Sequence, residues 1–160
     1  MLVRYLSYVT LSLLLLINHS AFAATSTSNM GVTANVTAVC SVSASTLAFG
    51  AFTGAQLDTS TNYVVYCTNG APYTVDFSAG AGTGATTTTR VMTNTNATSN
   101  TTTYAIYSDS GRSTVCGANC ASGTGNGSGG NLYSVYGRMF VKSNPYVGPY
   151  SDTVVITVNY

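Results

Sequence analysis

Apolar and polar positions alternate at period two along most of the chain, which places successive side chains on opposite faces of a strand. Tyr73, Val75 and Phe77 face one way while Thr74, Asp76 and Ser78 face the other. The same alternation runs through Val154, Ile156 and Val158 against Val155, Thr157 and Asn159. It is looser around Tyr63 to Cys67, Tyr104 to Tyr107 and Val135 to Val141. These segments predict about seven short strands. Between them lie Gly, Thr, Ser and Asn runs, Ala79 to Thr89, Asn94 to Thr103 and Ala118 to Asn131, which read as loops. Gly123 to Gly130 has no lysine after it and no helix to supply a dipole, so it reads as a loop tip and not as a phosphate cradle. With no solenoid or propeller period, the pattern predicts an all-β sandwich of Ig-like type.

The first residues break this pattern. Arg4 precedes an apolar stretch through Leu11, Leu13, Leu14, Leu15, Leu16 and Ile17, followed by Ala21-Phe22-Ala23. A basic start, a short apolar run and small residues before a cut define a secretory signal peptide over residues 1–23, with the mature chain starting at Ala24. The run is shorter than the ~20 apolar residues that span a bilayer, and polar Thr25 to Asn29 follow it directly. The mature length suits one domain, with no room for a second.

After Ala24 the charged side chains are Arg90, Arg112, Arg138 and Lys142 against Asp58, Asp76, Asp109 and Asp152. This balance offers nothing to draw nucleic acid or an anionic membrane. A surface of Thr, Ser, Asn, Gly and Tyr also has little charge repulsion to keep copies apart, so self-association is expected. The four cysteines, Cys40, Cys67, Cys116 and Cys120, all lie in the exported part. They read as two disulfides among three possible connectivities, of which Cys40–Cys67 with Cys116–Cys120 is favoured. The first would close a long loop and the second would tie a short one. A zinc site lacks both a Cys-x-x-Cys pair and a histidine, because His19 leaves with the leader.

General acid and base chemistry needs a group that titrates near neutrality, and the mature chain has no histidine, no glutamate and four scattered aspartates. Asp76 reads as a solvent-side strand position, Asp109 as part of the Ser108-Asp109-Ser110-Gly111 turn, and Asp152 as the opening of the last strand. The expectation is a non-enzyme with no cofactor, no metal and no small-molecule substrate.

Several motifs occur in order: Cys40 before Leu47-Ala48-Phe49-Gly50, then Tyr66-Cys67, Pro72-Tyr73-Thr74, Arg90-Val91-Met92 and Tyr104-Ala105-Ile106-Tyr107-Ser108-Asp109. Val135-Tyr136-Gly137-Arg138 and the C-terminal run from Gly148-Pro149-Tyr150 to Tyr160 complete the set. In order and spacing the chain resembles the spore coat protein U domain family, which includes the Csu-type pilin subunits of archaic chaperone-usher pili. Cys116-x-x-x-Cys120 and the Gly loop after it depart from the general pattern.

The resemblance implies an incomplete Ig-like sandwich whose missing strand is supplied from outside, first by a periplasmic chaperone and then by the N-terminal segment of the next subunit. An outer-membrane usher and other pilin subunits, in a homopolymer or a heteropolymer, are the further partners implied. Residues 24–38 are then the donor-strand segment and residues 39–160 the sandwich domain. The donor knobs are Met30, Val32, Ala34 and Val36, which alternate with Gly31, Thr33, Asn35 and Thr37; periodicity alone would make them the chain's own first strand. The groove edge, and the strand that the chaperone pairs with, falls on Val154, Ile156, Val158 and Tyr160 in the Asp152 to Asn159 strand. The chain is expected to stop at Tyr160, whose carboxylate the chaperone would grip. The implied role is a structural pilus subunit exported through the periplasm to the cell surface, supporting attachment and biofilm formation. Alternatives are a spore coat or extracellular-matrix protein and, further off, a secreted carbohydrate-binding module.

Overall fold

The structure, a computed structural model, describes residues 23–160. The leader read over residues 1–23 lies outside the described residues except for Ala23. The chain divides into two units, Met1–Asn35 and Val36–Tyr160. The described part of the first unit has no secondary structure and is exposed throughout.

The second unit is a two-sheet antiparallel β structure. Its strands are β1 (Cys40–Ala44), β2 (Leu57–Cys67), β3 (Pro72–Phe77), β4 (Arg90–Asn94), β5 (Thr101–Tyr107), β6 (Ala121–Thr124), β7 (Asn131–Met139), β8 (Tyr150–Ser151) and β9 (Ile156–Asn159). A six-stranded sheet has the order β1-β2-β7-β5-β4-β8, and a three-stranded sheet the order β6-β3-β9. Period-two alternation buries one face of each: Tyr73, Val75 and Phe77 of β3 meet Tyr63 and Val65 of β2, Tyr104 and Ile106 of β5 and Val135 of β7 in one core.

Nine strands stand where about seven were expected, and two corrections account for the difference. The predicted Ala118 to Asn131 loop contains β6, which pairs with β3 from Pro72↔Thr124 to Val75↔Ala121. At its inward position Gly123 there is no room for a side chain above the neighbouring rings. A Cβ at Gly123 would come within 2.6 Å of the Tyr133 hydroxyl and 2.7 Å of the Tyr73 hydroxyl. The predicted single strand from Asp152 to Asn159 is instead the end of a run that changes sheets. β8 pairs with β4 in the larger sheet, residues 152–155 cross over, and β9 pairs with β3 in the smaller one. The alternation continues through the crossing, which is why the break is invisible to periodicity.

Cys40 and Cys67 face each other in the β1–β2 register and are bonded, as are Cys116 and Cys120. Cys116 is fully buried, so the short bridge packs on the core and not only on its own loop. Arg90 is also fully buried. Its guanidinium donates to the carbonyls of Ser78 (3.0 Å), Thr87 (2.8 Å) and Cys116 (2.7 Å), and so ties three segments together.

Candidate functional site

β1 hydrogen-bonds only to β2, and β9 only to β3, so each sheet ends in a free strand edge on the same side of the sandwich. Where β1 ends at Ala44 and the crossover leads into β9, the sheets part over a cleft of about 310 Å³. One rim is formed by residues 44–47 and the other by residues 152–154 with Ile156. The floor is the core itself: Tyr63, Phe77, Met92, Tyr104, Ile106 and Val135 all reach the cleft. An opening at the end of two unpaired strand edges, floored by apolar side chains, suits an extended peptide that adds backbone hydrogen bonds and inserts alternate side chains.

The rims are held by specific contacts. Leu47 and Phe49 pack onto β7 at Gly137, where a Cβ would meet Phe49 Cζ at 2.8 Å and Leu47 Cδ2 at 2.9 Å. Phe49 also meets Tyr104 edge-on with ring centroids 5.9 Å apart, and Thr59 Oγ1 donates to the Ala48 carbonyl at 2.9 Å. On the other rim Asp152 Oδ1 accepts from the backbone N–H of Ala81 (2.7 Å) and of Thr153 (2.8 Å), while its Oδ2 accepts from the Tyr104 hydroxyl (2.7 Å). A Cβ at Gly80 would collide with this carboxylate. Burial, aided by the hydrogen bond to Asp152, pushes the Tyr104 pKa far above the ordinary phenol value. Burial pulls the Arg90 pKa down, and the neighbouring Tyr104 and Asp152 oppose that shift.

A tyrosine stack borders the floor. Tyr63 lies on Tyr133 with centroids 5.2 Å apart, and the Tyr133 and Tyr73 hydroxyls share a 2.8 Å hydrogen bond. Burial first, then the bond to Tyr73, pushes Tyr133 up to about 12.

Of the groove-edge residues read from sequence, Val154 and Ile156 line the cleft. Val158 sits opposite Val75 and packs against the core, and Tyr160 is exposed beyond β9. Met30, Val32, Ala34 and Val36 lie in no strand and are exposed, Met30 at 88% and Val32 at 86%. Sequence reasoning missed the opposite rim and the floor, although the Leu47-x-Phe49 alternation was available as a signal. The four aspartates are not brought together. Asp76 accepts from Asn119 N–H (2.6 Å) and Asn159 Nδ2 (2.8 Å), Asp109 caps the N–H groups of Ser113 and Thr114, and Asp58 pairs with Arg138. Among the described residues no cluster of His, Cys, Asp and Glu could hold a metal, and no helix is long and apolar enough to cross a membrane.

Fold and cleft together define an Ig-like β-sandwich with one open seam. The family model described as Spore Coat Protein U domain matches residues 26–157, and the chain belongs to that family. Among solved structures, it is similar to a chain of the CsuC-CsuE chaperone-tip adhesion subunit pre-assembly complex from archaic chaperone-usher Csu pili of Acinetobacter baumannii. The TM-score is 0.57 at 23% identity, covering 78% of this chain and 40% of that one. A chain of a chaperone-tip adhesin complex of CFA/I fimbriae biogenesis matches with TM-score 0.43 and 13% identity, over 71% of this chain and 38% of that one. The chain thus spans about two fifths of the length of each. No curated protein matches it at a significant level.

Proposed function

We propose that the chain is a structural, noncatalytic subunit of a chaperone-usher pilus, polymerised by donor-strand exchange. The observation that carries this reading is the cleft where β1 ends and the crossover leads into β9, beside two free strand edges, which opens the core from one side. Residues 24–38 are the donor segment, and Met30, Val32, Ala34 and Val36 are the knobs offered to the cleft of another copy. Residues 39–160 are the receiving body, with Val154, Ile156, Val158 and Tyr160 on the edge that a periplasmic chaperone occupies first.

Burying a Met or Val side chain contributes about 1.5 to 3 kcal/mol. Three such knobs and a new backbone ladder act against the entropy of ordering the segment. Once the cleft is filled, opening it amounts to unfolding the body, so the product is kinetically durable. Export through the periplasm and an outer-membrane usher to the cell surface follows from this role, as does a part in attachment and biofilm formation.

Deletion of Ala24 to Val36 tests the reading. The truncated chain should still form a chaperone complex and should make no fibres; fibres from that chain would overturn donor-strand assembly. The family's description favours a second reading, a coat or matrix protein deposited without fibres. Electron microscopy of the producing cell surface distinguishes the two.

A further inference from the structure

We infer that Thr68 is a positioning residue that keeps the chain from closing its own cleft, so that its N-terminal segment is left for another copy. The inference rests on the donor-strand reading and adds to it the choice between closure within one chain and closure between two.

Each copy carries a cleft and a segment able to fill one, and that segment runs straight into β1, whose end forms one rim. A strand tethered so closely acts at an effective concentration of about millimolar. Self-closure would therefore outrun assembly unless the fold opposes it.

The form that self-closure must take is set by β1. The Thr68 N–H donates to the Val39 carbonyl and the Ser45 N–H to the Asn62 carbonyl, so the odd-numbered residues of β1 bond to β2. Cys40, Val42 and Ala44 then point their backbone groups at the free edge. Cys40 and Val42 pack on the core and Ala44 lines the cleft. Opposed residues of an antiparallel pair share a face, and a slip of one position exchanges the faces. Apolar knobs must accordingly stand opposite these three residues. A hairpin with the loop Thr37-Ala38-Val39 achieves this in full: Val36 meets Cys40, Ala34 meets Val42, Val32 meets Ala44, and Met30 meets Thr46, another cleft residue. A loop one residue shorter or longer would turn Thr33 and Asn35 inward, and a loop two residues longer would spend Val36.

Thr68 holds the residues that this loop needs. Its N–H donates to the Val39 carbonyl at 3.0 Å, and its Oγ1 accepts the Val39 N–H at 3.0 Å. Its hydroxyl proton is shared between the carbonyls of Val39 (3.4 Å) and Thr37 (3.5 Å). Val39 is thus kept in line with β1 one pair beyond the ladder, where the hairpin would have to turn. A three-residue hairpin loop also ends in a left-handed residue, a conformation that β-branched Val39 resists. Self-closure in the full register must break the Thr68 bonds and force Val39 into that conformation.

The double variant Val39→Gly with Thr68→Val removes both obstacles and leaves every cleft residue in place. Assembled with chaperone and usher, it should give fibres several-fold shorter than the unmodified chain. It should also release a heat-resistant, chaperone-free monomer in which the amides of residues 30–36 are protected from hydrogen exchange. Thr68→Ser, which keeps the hydroxyl, should assemble like the unmodified chain. Fibres of ordinary length with no such monomer would overturn the role of Thr68 and leave donor-strand assembly standing. So would shortened fibres without a resistant monomer, or a monomer whose residues 30–36 exchange freely, since simple destabilisation gives those results. Failure of the unmodified chain to form fibres at all would overturn both.

Discussion

Tyr104, in the middle of the six-stranded sheet, donates its hydroxyl to Oδ2 of Asp152 across 48 residues of sequence, at 2.7 Å. This bond fastens the start of the crossover, and with it one rim of the cleft, to the strand that forms the floor.

Asp152→Ala removes the acceptor for that hydroxyl and for two backbone N–H groups, and leaves a buried phenol without a partner. The expected loss is about 2 to 4 kcal/mol, against about 1 kcal/mol for Tyr104→Phe, which leaves the carboxylate with its backbone donors. Denaturant unfolding of the body complemented by a peptide of residues 24–38 checks the order of the two effects. Equal losses would mean that the carboxylate does not organise the rim.

Acid should loosen the body through Asp58. The hydrogen bond from Arg138 holds its carboxyl below the ordinary carboxylate range, with Arg112 adding to the pull. A depressed folded-state pKa means that the stabilisation is fully present above the unfolded value of about 3.9. It is lost as pH falls through the lower folded value. Asp58→Asn should therefore flatten the stability profile below about pH 4, measured as melting temperature against pH. An unchanged slope would show that the pair contributes nothing there.

Loss of the Cys40–Cys67 bond, which closes a separation of 27 residues, should cost about 3 to 4 kcal/mol on the chain-entropy model. Loss of Cys116–Cys120, separated by four, should cost about 2 kcal/mol. Paired Cys→Ser variants compared by denaturant midpoint test the ranking.

Gly137→Ala puts a methyl where Leu47 and Phe49 already sit. Overpacking of this kind costs about 1 to 3 kcal/mol. Here the strain also lifts the 44–49 rim, so binding of the residue 24–38 peptide should weaken together with stability. Isothermal titration separates this from a loss of stability alone.

The fold class was legible because Tyr73, Val75 and Phe77, and Ile156 and Val158, keep strict alternation on strands that bury one face. β6 was not legible, because it needs a glycine where it meets the tyrosine hydroxyls and carries Ser122 and Thr124 on its exposed side, which with Ala121 is also loop composition. The sheet change at Asp152 to Val155 left no trace, since period two survives a crossing that moves the backbone from one sheet to the other. Half of the cleft was readable from Val154 and Ile156. The other half depends on Leu47 and Phe49 lying over Gly137, a contact between segments 88 to 90 residues apart that no local pattern encodes.

The bridge between Cys40 and Cys67 sits at the first residue of β1 and the last of β2. Mechanical tension arriving along the chain from Val39 therefore need not travel through the weakly held outermost strand. It passes through sulfur into β2, which can slip only if its ladder with β7, running from Leu57↔Met139 to Val65↔Asn131, shears. The covalent link sets the load path as well as the fold.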